Sequence, residues 1–346
     1  MADRSAIEWT DATWGPVVGC TKVSPGCDNC YAERFVNRFA GTPAFPNRFD
    51  TVTLRPQFLD LPLRWRKPRR IFVNSLADLF HDDVPDEYIA MVFAVMALAR
   101  QHQFQVLTKR HGRMRSLLSD EDFRAHVTLA IVDRTVHEGR DDTHLAYAHG
   151  DWWPLPNVCL GVSVENQRWA DIRIPALLDT SAAVRWVSAE PLLGPIELHR
   201  RYLLPLQPEG LPGLDWVIVG GESGPGARPM HPDWARSLRD QCVGAGVPYL
   251  FKQWGEYQPA AIEDAPEFFG GRAYNDPRGG RRSATIRMRS PKAFVTGEHR
   301  LLRAGDRTTG GVVCLDERTV AVKVGKHRAG RELDGRTWDE YPAGAA

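Results

Sequence analysis

Short apolar runs rich in β-branched residues alternate along this chain with longer stretches of helical apolar spacing. Seven runs are expected strands: WGPVVG ending before Cys20, RIFVNS from Arg70, FQVLTK ending at Lys109, NVCLGVS from Asn157, VRWVSAEP from Val184, DWVIVGGES from Asp215 and VPYLFKQWG from Val247. Helical spacing lies between them. YAERFVNRFA sets Tyr31, Phe35 and Phe39 at i, i+4 and i+8, one apolar stripe. DEYIAMVFAVMALARQ after Pro85 opens on acidic residues, and RWADIRIPALLDT and HPDWARSLRDQC are further helical candidates.

Strands that are apolar throughout, each followed by a helix, predict a parallel sheet covered by helices. Seven units predict an α/β fold over residues 1–256, a TIM-barrel-like (β/α) barrel, complete or partial. Two regions break the rhythm. Residues 120–154 are expected to be an insertion between the third and fourth strands. Residues 257–346, rich in Arg and Gly, are expected to form a small irregular C-terminal appendage with a strand in TVAVKVG from Thr319.

In such barrels the chemistry sits at the C-terminal strand ends. Here those ends carry Asn74 and Asp78, Thr108 and Lys109, Ser163 and Glu165, Ser188 and Glu190, Glu222 and Ser223, and Lys252 and Gln253. Taken singly, each is a helix cap or a surface ion pair. Their recurrence at one topological position makes them candidate binding residues. LTK and LFK end their strands alike, so Lys109 and Lys252 are candidate catalytic cations able to hold a carboxylate or phosphate. The alternative for either is a lysine extended past the sheet into solvent.

Lys and Arg total 44 against 43 acidic residues, so net charge points to no partner. The distribution is less even: Arg278 to Arg303 holds eight basic residues against Glu298 alone. That segment is either a solvated basic face or a contact surface for nucleic acid or phosphate. No apolar run approaches the roughly 20 residues of a membrane span, and MADRSAIEWT lacks the basic start and apolar stretch of a signal peptide. The expected location is the reducing cytoplasm, where clustered cysteines hold metal more often than disulfides.

Three of the six cysteines lie in GCTKVSPGCDNCYAE: Cys20, Cys27 and Cys30. Cys27 and Cys30 are i, i+3, which brings both sulfurs to one side of a turn. Pro25 and Gly26 bend the chain so that Cys20 can approach from the strand end. The candidate uses are a zinc site, with His81 as a fourth ligand, an iron–sulfur cluster with one iron left open, or unliganded thiols. Cys159, Cys242 and Cys314 sit among apolar neighbours and are expected to be buried.

GCTKVSPGCDNCYAE, NSLADLFHDDVP, LTKR, LGVSVEN, SAEPLLGPI, VIVGGESGPGARPMH and FKQWGE, in this order, resemble a phage-associated three-Cys-motif family of unknown function that is radical-SAM-like. The GRELDGRTWDEYP ending is also similar. The resemblance implies a 4Fe-4S cluster on Cys20, Cys27 and Cys30 with S-adenosylmethionine as cofactor. Radical SAM enzymes usually space these cysteines Cys-x3-Cys-x2-Cys, and here the first gap is six residues. Tyr31, after the last cysteine, resembles the aromatic residues that shield such clusters. Asn74, Ser75 and Asp78 are assigned to the methionine end of the cofactor. Ser163, Glu165, Glu190 and the Gly220–Gly221–Glu222 triplet are assigned to the cofactor, with Glu222 facing cofactor or substrate. The Gly-Gly pair is otherwise a tight turn. The implied partners are nucleic acid as substrate and a genomically linked partner protein, with no membrane. The alternative function is a zinc- or cluster-stabilised nucleic-acid-binding protein without radical chemistry.

Overall fold

A computed structural model describes residues 5–137, 147, 152–203, 212–261, 294–295, 301–302, 311–316 and 318–342. Seven strands form one sheet: β1 (Ala12–Trp14), β2 (Arg70–Val73), β3 (Gln103–Thr108), β4 (Val158–Ser163), β5 (Val184–Ala189), β6 (Trp216–Gly220) and β7 (Tyr249–Gln253). They pair in sequence order, every neighbour parallel, and β1 does not pair with β7. Right-handed crossovers repeated in one direction place the helices on one face and curl the sheet. The result is an open half-barrel, so the barrel is partial.

The helices are α1 (Tyr31–Phe39), α2 (Asp86–Leu98), α3 (His111–Leu118), α4 (Glu121–His137), α5 (Gln167–Leu178) and α6 (Pro232–Ala245). Because strand side chains alternate between faces, each strand feeds two cores. On the convex face Val73, Val106, Val187 and Val219 pack with Ile89, Phe93, Met114, Ile174 and Leu238. On the concave face Trp9, Phe72, Trp186, Trp216, Ile218 and Leu250 form a separate cluster with Cys159. Trp9 meets Phe72 at 4.7 Å and Trp186 at 5.2 Å between ring centroids. The Trp186 indole lies across Gly161, where a Cβ would overlap the ring, so only glycine fits beneath it. These rings plug the N-terminal end of the half-barrel.

The first strand differs from its expected place. The sheet strand ends at Trp14, and Val17–Val18 instead pairs antiparallel with Thr53–Leu54. Pro16 explains the exit, since it has no N–H for a ladder. Its carbonyl accepts from Arg55 N at 2.8 Å and Tyr88 Oη at 2.9 Å. Within the expected insertion, α4 is a long helix whose Phe123, Val127 and Ile131 join the convex core.

Beyond β7, β8 (Tyr257–Ala261), β9 (Val312–Cys314) and β10 (Thr319–Lys323) form an antiparallel sheet in the order β8–β10–β9. TVAVK is a strand as expected. The final residues then return to the half-barrel. Leu333 is buried in the convex core, Trp338 accepts from Phe251 N at 3.0 Å, and Glu340 accepts from Trp216 Nε1 at 2.8 Å. The expected appendage is therefore tied to β6 and β7 at its end. Most of Arg278–Arg303 lies outside the described residues, apart from the short pair Phe294–Val295 and Leu301–Leu302. Among the described residues no helix is long and apolar enough to cross a membrane.

Candidate functional site

A cavity of about 410 Å³ opens at the C-terminal strand ends. Cys20, Cys27, Cys30 and Tyr31 line it on one side. Trp9, Phe72 and Leu107 reach it from the aromatic plug. Asn74, Ser75 and Asp78 come from the loop after β2, Lys109 and Ser163 from the ends of β3 and β4, and Ser188 and Glu190 from the end of β5. Gly221, Glu222, Lys252 and Gln253 complete it from β6 and β7. Of the residues expected here, Glu165 and Gly220 do not line the cavity. Gly220 leaves room for Glu190, whose carboxyl carbon would sit 3.1 Å from a Cβ at that position.

The cysteine loop is built from backbone constraints. Gly19 has φ +98, and a Cβ there would overlap the Thr51 carbonyl, so the loop needs glycine at its root. Cys20 N donates to Phe49 O at 2.8 Å, and Pro25–Cys27 form a 3₁₀ turn before Cys30 starts α1. Cys20 and Cys30 pack against Val18, Ala32, Val36 and Phe49. Burial pushes the Cys20 thiol up to about 12, aided by the charges of Asp78, Cys27 and Cys30 and opposed by Arg110. Cys20 is thus a neutral thiol near pH 7, and a bound metal must displace its proton.

Two arginine–carboxylate pairs clamp this loop. On one side Glu165 and Arg173, both fully buried, form a salt bridge at 3.0 Å. Glu165 also accepts from Ser24 Oγ at 2.7 Å, and a Cβ at Gly26 would overlap its carboxylate. On the other side Glu222 pairs with Arg228 at 2.6 Å and accepts from Asn29 Nδ2 at 3.0 Å. Arg228 also donates to Pro25 O and to Asp28. Burial raises the Glu222 carboxyl, but the hydrogen bonds from Arg228 and Asn29 outweigh it and hold it below the usual range. Arg34 on α1 donates to the Pro225, Ser223 and Asn29 carbonyls. Sequence reasoning missed Arg173, Arg228 and Ser24. Arg228 lies within the quoted VIVGGESGPGARPMH, but no spacing marks it as a partner of Glu222.

Several of the remaining candidates already hold partners within the chain. Asp78 accepts from Thr108 Oγ1 at 2.7 Å, Lys109 N at 2.9 Å and Phe80 N at 3.0 Å, so its carboxylate fixes the end of β3. Lys252 Nζ meets both Glu190 oxygens at 2.8 and 2.9 Å, and Lys109 Nζ lies 3.8 Å from Glu165. Both lysines face the mouth, and each has a carboxylate beside it. Asn74, at φ 58, accepts from Val17 N at 3.1 Å, while its Nδ2 has no partner. Gln253 donates to Glu190, and its Oε1 has no partner. Both unmatched atoms belong to buried cavity-lining side chains.

The donor set can be tested against a single ion. A tetrahedral zinc with Zn–S near 2.3 Å needs sulfurs about 3.8 Å apart. Among the described residues, the group of three whose ligand atoms lie within 4.8 Å of one another is His231, Asp233 and Asp316, not the cysteines. His81, the fourth ligand considered for zinc, has both ring nitrogens engaged: Nε2 with Thr21 Oγ1 at 2.9 Å and Nδ1 accepting from Asp83 N at 3.1 Å. The sulfurs of Cys20, Cys27 and Cys30 do not all lie within 4.8 Å of one another, so as placed they do not surround a single ion. His231 caps α6 by accepting from Asp233 N, and its Nε2 lies 2.7 Å from Asp316. Both of its nitrogens are satisfied without a metal.

Residues 4–342 match the family described as a protein of unknown function (DUF5131), and the chain belongs to it. Neither the curated proteins nor the solved structures contain a match to the chain.

Proposed function

We propose that this protein is a radical-SAM-like iron–sulfur enzyme of TIM-barrel-related fold, from a phage-associated three-Cys-motif family. Cys20, Cys27 and Cys30 hold a 4Fe-4S cluster, S-adenosylmethionine occupies the adjoining cavity, and the substrate is a nucleic acid. One observation carries this reading: three thiols of a single clamped loop line a cavity at the C-terminal mouth of a parallel half-barrel. When bound, the cluster supplies the electron that cleaves S-adenosylmethionine and starts radical chemistry on the substrate.

The chain's own residues hold and shield. Glu165 and Arg228 fix the loop, and Tyr31 spans toward the β2 loop by donating to Ser75 O at 2.6 Å. Asn74 offers an unmatched donor and Gln253 an unmatched acceptor, suited to the carboxylate and ammonium of an amino acid. The Lys252–Glu190 pair keeps the far wall charged but balanced. Such a site belongs in a reducing compartment, the cytoplasm.

Anaerobic reconstitution tests this. The expected product is brown, with about four irons per chain, and releases 5′-deoxyadenosine from S-adenosylmethionine under a strong reductant. Cys20→Ala, Cys27→Ala and Cys30→Ala should each abolish loading, while Cys159→Ala, in the aromatic plug, should retain it. A colourless protein that takes up only zinc overturns the proposal.

A further inference from the structure

The apolar stripe of α1 does not face a core. Tyr31, Phe35 and Phe39 are 54%, 44% and 39% exposed, and the buried residues of the helix are Ala32 and Val36. The stripe starts at the cavity with Tyr31 and runs outward along α1 for about 12 Å. Phe35 and Phe39 lie 5.1 Å apart, and Phe45 closes on Phe35 at 5.7 Å, so the rings form one ledge. Exposed aromatic area of this kind beside a cavity marks a contact surface.

The charges around the ledge identify what it contacts. Between residues 31 and 55 stand Arg34, Arg38, Arg48 and Arg55 against Glu33 and Asp50. Glu33 is matched by Lys22 at 3.2 Å. Arg34 is bound to carbonyls, Arg55 lies over Phe45 and Phe58, and Arg38 lies over Phe39. Among the described residues none of these four arginines has a carboxylate partner. Elsewhere arginines are matched: Arg70 by Asp11, Arg113 by Asp86, Arg134 by Asp60 and Arg236 by Asp334. Unbalanced guanidinium groups interleaved with exposed rings suit a polyanion with accessible flat faces. In a duplex the base faces are already stacked on one another, so the fit is to an unpaired strand.

We propose that the α1 ledge binds single-stranded nucleic acid, with bases on Phe35 and Phe39 and phosphates on Arg38 and Arg48, and leads the strand to the cavity mouth. The inference rests on the nucleic-acid reading of the substrate given above. It differs by assigning binding to α1 instead of the Arg278–Arg303 segment.

The test is fluorescence anisotropy of the full chain with a short single-stranded oligodeoxynucleotide, its RNA equivalent and its duplex, across salt concentrations. Wild-type protein should bind the single strands more tightly than the duplex. Phe35→Ala and Phe39→Ala should each weaken binding about tenfold. Arg38→Ser with Arg48→Ser should reduce the slope of log affinity against log salt by about 1.4, since each single-strand phosphate contact contributes about 0.7. Phe35→Leu with Phe39→Leu guards against a packing defect, because leucine keeps the apolar cover and removes the ring. Loss of affinity in that variant supports stacking. Unchanged affinity in it, an unchanged salt slope in the arginine variant, or a wild type that ignores single strands overturns the proposal in favour of an apolar protein contact. Iron, sulfide and 5′-deoxyadenosine measured on the same preparations separate the two readings. Ring-dependent binding without a cluster sinks only the enzyme, and a loaded enzyme with ring-independent binding sinks only the ledge.

Discussion

The two ends of the half-barrel are made by the same strands and have opposite chemistry. At the N-terminal end the inward positions are Phe72, Cys159, Trp186 and Trp216, packed ring on ring around Trp9. A few residues along the same strands or just past them come Asn74, Ser163, Glu190 and Glu222. One end is held by area and shape, the other by paired charges. The mouth holds its loop of three cysteines with matched charges, whereas the plug has no charge to match and its indoles bond only to backbone carbonyls such as Glu340 O.

The sharpest way to break the contrast is to unpair a charge at the mouth. Glu165→Gln leaves Arg173 buried and uncompensated, so about 3–5 kcal/mol of stability should be lost, read from urea unfolding. Replacing both residues, Glu165→Gln with Arg173→Met, should cost less than the single change, because no lone charge remains. A single-variant loss below about 1 kcal/mol would show that the pair does not bear on the loop.

The corresponding break in the plug is steric. Gly161→Ala pushes a methyl group into the Trp186 ring, and overpacking of this kind costs about 1–3 kcal/mol. Near-ultraviolet circular dichroism should register the displaced tryptophans. A spectrum and a melting point equal to wild type would mean the plug is loose.

The smallest effect is pH-dependent and confined to the mouth. The folded Glu222 carboxyl lies below its unfolded value, so its contribution is complete above the unfolded value of about 4.3 and is lost as pH falls through the folded one. Wild-type protein should therefore lose stability on acidification below that point more steeply than Glu222→Gln. Other depressed carboxyls, such as Asp334, act in both proteins and cancel in the difference. Parallel stability profiles for the two proteins would remove Glu222 from the clamp.

Much of the frame was legible in the sequence. All seven sheet strands lie in or beside their apolar runs, because a strand covered on both faces must be apolar throughout. The polar strand ends and the cysteine loop also stood out, since Cys, Lys and Glu directly after such runs have no packing reason to be there. The first strand was displaced because Pro16 removes a donor, an effect visible only once the neighbouring ladder is known. The α1 stripe carried the periodicity of a buried face, yet periodicity states that apolar residues share a side and not what covers that side. Tertiary structure alone decided that Ala32 and Val36 pack inward and the rings outward. It also decided the clamps: Ser24 is 141 positions from Glu165, and Asn29 is 193 from Glu222. Local spacing encodes helices, strands and turns because their contacts are a few residues apart. The salt bridges Glu165–Arg173 and Glu222–Arg228 close over only 8 and 6 positions, but the hydrogen bonds that tie them to the cysteine loop are set by where the curled sheet brings its strand ends, and no short stretch of sequence contains that distance.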